Sequence, residues 1–370
     1  MVRRPSPRAV VGQWLLLAAV AATAAAIFLM ARESLARHHI SFGFGFLASP
    51  ANFDIPFHLI SWRESDTYGR VVLAALLNTL LVSALAIVTS SVLGLLIGVM
   101  RLSRNWLVKN VALAYIEAIR NTPQLVQLFF IYVALVQLPG PRQSIAFAGG
   151  ALLNNRGVYV PALVVSDALW PLPWLAVVAA VAIPFVWRRR IGERRVGAWA
   201  LLLLMVAAAL FAAAVEHVDF PELKGFNIVG GIVVPPEFVA LWLGLSIYAA
   251  AFIAEIVRGS IEAVPKGQNE AAQSLGLPYA PRLFLVTLPQ ALRIMVPPLI
   301  SQYLNVIKSS SFGAFIAVPE LVQMILGTVL QQSGREIETL IIVGGIFLSI
   351  SLATSAFMNW YNRRVALVER

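Results

Sequence analysis

Long uninterrupted apolar runs constrain this 370-residue chain more than any other feature. A membrane-crossing helix needs about 20 consecutive apolar residues, whereas a transmembrane strand shows only about ten alternating ones. Runs on the helical scale occupy Val11 to Ala31, Arg70 to Met100, about Pro123 to Leu138, Leu172 to Trp187, Ala198 to Val215, Phe238 to Val257, Leu292 to about Val318, and Leu340 to Trp360. The pattern predicts an all-α integral membrane protein with about eight transmembrane helices. Composition agrees: 59% of residues are hydrophobic and 12% charged, where a soluble domain carries about a quarter charged.

The formal charge of +10 could suggest a nucleic-acid partner, so the placement of the 28 basic residues decides. With the connections numbered alternately, one side holds Arg3, Arg4 and Arg8, then Arg101, Arg104, Lys109 and Arg120, then Arg188, Arg189, Arg190, Arg194 and Arg195. It also holds Arg258, Lys266, Arg282, Arg293, Arg363, Arg364 and Arg370. This excess predicts that both termini are cytoplasmic, and no nucleic acid is needed to explain it. The first run is longer than a signal-peptide core of about 7 to 15 residues, and Arg32 and Glu33 stand where a small-residue cleavage site belongs. It is read as a retained span.

Nothing in the sequence points to an enzyme or a cofactor. Without cysteine there is no disulfide framework and no thiolate nucleophile or metal ligand. His38, His39, His58 and His217 fall in outer segments without metal-ligating company. No glycine-lysine-serine or glycine-lysine-threonine run exists to cradle phosphate. The residues after Trp360 are expected to be too few for an ATPase domain, so energy is expected from another chain or from an ion gradient.

The organisation expected along the chain is an extra span with an outer loop (1–69), a first core part (70–138), an insertion with an outer loop and a helix hairpin (139–236), a second core part (237–360) containing an inner loop (259–291), and a cytoplasmic tail (361–370). The aromatics of the first outer loop, Phe42, Phe44 and Phe46, are expected at headgroup depth. Gly94 and Gly98 have the spacing that lets helices approach closely. Trp106 to Arg120 is expected to lie on the inner face as a separate amphipathic helix. On it Glu117 and Arg120, at i and i+3, are expected to pair and brace the start of the third span. Thr122 is expected to cap that span and Pro123 to take its first helical position. Asn154-Asn155-Arg156-Gly157 is a turn signal. The seventh span contains Pro297-Pro298, Asn305, Lys308 and Ser309. Because a lysine in hydrocarbon is expensive, Asn305, Lys308 and Ser309 are candidates for lining a translocation path. The alternative for Lys308 is a structural pairing with a carboxylate or with helix-end carbonyls.

The inner loop reads Glu270-Ala271-Ala272-Gln273-Ser274-Leu275-Gly276 and then, nine residues later, Val286-Thr287-Leu288-Pro289. These residues predict a short alanine-rich helix parallel to the membrane and ended by Gly276, a surface that a neighbouring protein could approach closely. The spacing resembles the EAA signature of permease subunits of bacterial ABC importers. The run Glu117-Ala118-Ile119-Arg120-Asn121-Thr122-Pro123-Gln124-Leu125-Val126-Gln127-Leu128 and the run Leu304 to Ser311 are similar to the polar-amino-acid branch of that family. The extra first span and the insertion resemble the longer permeases of general L-amino-acid or glutamate/glutamine/aspartate importers.

The resemblance implies a transmembrane subunit of an ATP-driven amino-acid importer in the bacterial inner membrane. It implies a second permease, identical or related, two cytoplasmic ABC ATPase subunits and a periplasmic solute-binding protein. Glu270, Ala271, Ala272, Gly276 and Pro289 would then couple to the ATPase. An ion-gradient-driven secondary transporter and a scaffolding membrane protein are the other readings at this level.

Overall fold

A computed structural model describes residues 42–165 and 193–365, together with helical positions scattered among residues 11–30. The long helices are α1 (Tyr68–Arg101), α5 (Pro236–Glu262), α7 (Leu288–Ser309) and α8 (Glu336–Val365). Shorter ones are α2 (Trp106–Arg120), α3 (Gln124–Val136) and α6 (Lys266–Ser274), while α4 (Glu193–Ala214) matches α7 in length. Among the described residues, 4 stretches are long and apolar enough to cross a membrane, or 5 if α2 and α3, bent by 101° to each other, count as one span. The third apolar run is thus the 13-residue α3, too short to cross alone at about 1.5 Å per residue. The run Leu172 to Trp187 lies outside the described residues, as does much of the first run. The run Ala198 to Val215 falls on α4, whose apolar stretch is only Leu201–Ala214.

Helices α1 and α5 form the centre because α1 lacks side chains where α5 needs room. A Cβ built on Gly94 would lie 2.6 Å from Ile253 Cβ, and one on Gly98 would lie 2.8 Å from the Ala254 carbonyl oxygen and from Val257 Cβ. The small-xxx-small pair therefore serves an intrachain contact. Around it Ala86, Ala249, Ala250 and Ala254 are buried, and Trp242 Nε1 donates to Thr89 Oγ1 at 3.1 Å. Helix α7 joins through the Ser91 and Tyr303 hydroxyls, 2.9 Å apart. Pro297 and Pro298 lie inside α7 without ending it.

At the Tyr68 end of α1, two irregular segments are sewn onto the helix. Asn78 Nδ2 donates to the Phe57 and Pro319 carbonyls, both at 2.8 Å, and Thr79 Oγ1 accepts from Leu321 N–H at 2.9 Å. Phe46, Phe53 and Trp62, partly buried, pack against the core residues Tyr68, Val71 and Leu321, while Phe42 and Phe44 stay exposed. Glu320, fully buried, uses both carboxylate oxygens to accept the Val322 and Gln323 N–H groups at 2.9 and 2.7 Å. They open the π-helical turn Gln323–Val329. Burial pushes the carboxyl pKa up to about 7 although the two N–H bonds pull it down.

The insertion is not wholly helical. Strands β1 (Ile145–Ala146), β2 (Leu152–Asn154), β3 (Gly157–Val160), β4 (Ala162–Val165), β5 (Val215–Asp219), β6 (Glu222–Lys224), β7 (Asn227–Val229) and β8 (Ile232–Val234) form one four-stranded sheet, in the order β1-β2-β3-β8, and two pairs, β4-β5 and β6-β7. Each is too short to register as an apolar run. Asn154 pairs with Gly157, leaving Asn155-Arg156 as a two-residue hairpin turn. Gly157 has φ 126°, and a Cβ there would sit 2.2 Å from the Val234 carbonyl oxygen. Strands β4 and β5 are antiparallel partners, which sets Val165 beside Val215.

Two measurements test this account. Gly94→Leu and Gly98→Leu should each destabilise the protein by about 1–3 kcal/mol through overpacking, read as a lower thermal midpoint of the solubilised chain. The raised Glu320 pKa means that the native state holds a proton which the unfolded chain loses at lower pH. Stability should therefore be highest below the ordinary glutamate pKa and fall as pH rises to about 7. That component of the pH dependence should be missing in Glu320→Gln.

Candidate functional site

Helix α7 is apolar enough to cross a membrane yet carries polar side chains one turn apart on a common side. Gln302, Asn305 and Ser309 recur at i, i+3 and i+7, the helical repeat that aligns side chains. With Lys308 and Val306 they form one wall of a cleft of about 290 Å³. Gln124 at the start of α3, and Tyr248, Ala249 and Phe252 of α5, form the other. The Tyr248 and Phe252 rings stand 5.0 Å apart. No carboxylate among the described residues pairs with the Lys308 ammonium. The lining thus offers one cation, three carboxamides, two hydroxyls and two aromatic rings, a set able to hold a small zwitterion. Asn305, Lys308 and Ser309 are brought together as the sequence suggests. Gln302 and Phe252 escaped it, although the i−3 spacing from Asn305 pointed to the first.

The corner between α2 and α3 departs from expectation. No ion pair joins Glu117 to Arg120 among the described residues. The Arg120 guanidinium lies instead over the Phe252 ring, 5.1 Å from its centroid. Thr122 does not cap α3: its hydroxyl donates back to the Ala118 carbonyl at 2.8 Å. Pro123, with φ −58° and ψ 132°, holds the N-cap position itself and not the first helical one. Gln127 closes the corner, its Nε2 donating to the Ile119 carbonyl at 2.8 Å and the Thr122 carbonyl at 3.0 Å. Tyr115 fastens α2 to α5 by donating to the Ile247 carbonyl at 2.7 Å.

The second feature is the loop around α6. The helix ends at Gly276, φ 78°. Leu277 N–H reaches the Ala272 carbonyl at 3.2 Å and Gly276 N–H the Gln273 carbonyl at 2.9 Å, a six-to-one and five-to-two pairing. Thr287 Oγ1 donates to Asn269 Oδ1 at 3.0 Å and Arg282 Nη1 to Gln273 Oε1 at 3.2 Å, holding α6 against the next helix. A cleft of about 350 Å³ opens between them, lined in part by Lys266, Glu270 and Arg282. Glu270, Ala271, Gly276 and Pro289 are exposed. Ala272 is buried at 4% exposure, so the helix turns only Ala271 of the alanine pair outward. Leu275, Phe284 and Leu285 are also exposed, at 82%, 62% and 70%, an apolar surface suited to a partner.

A polar cleft among helices apolar enough to cross a membrane, and a separate short helix with an exposed face, fit a multi-pass transport subunit. Residues 90–367 match the family of binding-protein-dependent transport system inner membrane components, and the chain belongs to that family. A putative amino-acid ABC transporter permease of Escherichia coli, YhdX, is 46% identical over 99% of this chain and 96% of its own length. The general L-amino acid transport system permease AapQ of Rhizobium johnstonii is 43% identical over 91% of this chain and 87% of its own. A crystal structure of an amino acid ABC transporter with histidines shares the fold, with a TM-score of 0.50 and 23% identity over 80% of this chain and 95% of that one. The chain is therefore a permease subunit and not an enzyme, with ATP hydrolysis in a separate subunit.

Because the sequence contains no cysteine, single cysteines report on the cleft directly. Cysteines at 305 and 308 should react with a charged, water-borne thiol reagent, and one at the buried position 306 should react far more slowly. Equal protection at all three in every transport state would remove the aqueous cleft.

Proposed function

We propose that the chain is the subunit through which an ATP-driven importer moves L-amino acids across a bacterial inner membrane. The observation that carries this reading is Lys308, which has no ion-pair partner among the described residues and lines a cleft of carboxamides and aromatics on a helix apolar enough to cross a membrane. A charge on such a helix is costly unless a polar path or ligand meets it. Lys308 receives the substrate carboxylate, while Asn305, Ser309, Gln302 and Gln124 exchange hydrogen bonds with it. The printed names of the relatives, amino-acid permeases in each case, support the substrate class.

In this reading both termini are cytoplasmic, about eight spans cross the membrane, and the strands of the insertion lie on the periplasmic side. A second permease, identical or related, two ABC ATPase subunits and a periplasmic solute-binding protein complete the assembly. The exposed face of α6, with Glu270 and Ala271, and the Gly276 cap dock into the ATPase, while Pro289 starts the helix that carries the motion to Lys308. Each partner must bind one state of the permease better than the other for ATP to drive the exchange. Family membership speaks against an ion-gradient carrier.

The test uses the assembled complex in vesicles. Gly276→Asp places a side chain at φ 78°, at a cost of about 1 kcal/mol or more, and sets a new charge on the docking surface. It and Glu270→Lys should leave the chain in the membrane but release the ATPase or separate hydrolysis from uptake. Normal ATPase binding together with normal uptake in both variants would overturn the coupling role.

A further inference from the structure

We infer that Gln127 is a positioning residue for transport, holding the α2–α3 corner so that Arg120 and Gln124 stand at the wall of the cleft facing Lys308. The inference rests on the cleft being the transport path. The geometry is specific. Within four residues the chain turns through 101° between α2 and α3, and such a corner frees the carbonyls that end α2. A single carboxamide, Gln127 Nε2, donates to two carbonyls of the corner, those of Ile119 and Thr122. The two residues it spans bracket Arg120, whose guanidinium lies over Phe252, and Gln124 follows one residue beyond Pro123. Phe252 and Gln124 both line the cleft. The corner is fixed on α5 on either side, by Tyr115 of α2 bonding the Ile247 carbonyl and by Leu128 of α3 packing on Gly244. Between those anchors, Gln127 is the α3 side chain that ties back to the end of α2. Its Oε1 is buried with no hydrogen-bond partner among the described residues, so the donors are the half of the group that the corner uses. A side chain retained only for solubility would not bury an acceptor unsatisfied.

The role is indirect, since Gln127 is not among the residues lining the cleft. It acts through Arg120, which gives the experiment its form. Gln127→Met keeps the volume and removes the donors, and Gln127→Glu sets an acceptor against two carbonyls. Both are compared with Arg120→Gln, the double variant Gln127→Met/Arg120→Gln, and Lys308→Gln, all in the complete complex in vesicles. Uptake at saturating binding protein is read beside complex yield and basal ATP hydrolysis. Both Gln127 variants should lose about tenfold in uptake, the scale of a lost buried hydrogen bond, with yield and basal hydrolysis within about twofold. The double variant should be no worse than Arg120→Gln alone, the mark of two residues acting through one contact.

Uptake that is normal in Gln127→Met and Gln127→Glu, or that falls only in step with yield, overturns the inference, as do losses that add in the double variant. If Gln127→Glu does not assemble, the isosteric Gln127→Met decides alone, and if neither assembles the residue is structural and the inference fails. Normal uptake in Lys308→Gln would overturn the cleft reading itself. Lost uptake there with normal Gln127 variants would overturn only the positioning role.

Discussion

Everything in the bundle is placed by the contact of α1 on α5, and that contact exists because two glycines leave room for backbone. In a membrane, lipid tails are as apolar as leucine, so close van der Waals packing and hydrogen bonds between helices must do the work that water exclusion does elsewhere. Gly94 and Gly98 bring Ile253 and Val257 to within a Cβ's reach, and the buried alanines extend the seam. With α1 and α5 fixed together, α3 runs along α5, with Tyr132 reaching Glu237 at one end. Helix α7 closes on α1 through the Tyr303–Ser91 contact and on α5 through Met295 clustered with Ile253 and Val257. The cleft is what remains between α3, α5 and α7 once those distances are set.

The polar groups of that cleft sit on a scaffold whose own polar groups are largely satisfied internally. Asn78, Thr79 and Glu320, all buried, spend their hydrogen bonds on the irregular segments at the Tyr68 end of the bundle. Arg258 is held by Glu255 at 2.8 Å and by Glu262 on its own helix. Lys308 and Arg120 differ, since neither has an ion-pair partner among the described residues. Lys308 stands on a helix apolar enough to cross a membrane, where a charge is costly unless a polar path or ligand meets it. Arg120 shows how local spacing can mislead: i and i+3 made Glu117 its natural partner, yet the α2–α3 corner carried the guanidinium to an aromatic ring on α5.

The loop around α6 is organised on another scale. Its helix is short, its cap depends on a left-handed glycine, and its ties to the following helix are side-chain hydrogen bonds. Such a unit is stiff within itself and joined to the bundle through the continuous helical stretch that becomes α7. Under the proposed coupling, a push on the exposed face, where Ala271 and Leu275 stand clear, is delivered along the helix that carries Asn305 and Lys308.

The sequence by itself determined the membrane class, the long apolar helices, the amphipathic α2, the short helix ended by Gly276 and the lysine-bearing stretch of α7. Each is written in near-neighbour chemistry, as apolar run length, 3.6-residue periodicity or one residue's tolerance of positive φ. Tertiary structure alone decided which α5 residues fill the space left by Gly94 and Gly98, that Ala272 turns inward, that Phe46 and Trp62 pack against the core, and that short strands pair among the described residues of the insertion. It also decided that Phe252, Gln302 and Gln124 share a cleft with Lys308, and that Gln127 and not Thr122 secures the corner. These depend on distances between elements far apart in the chain, and the α1–α5 packing, which no local pattern encodes, sets those distances.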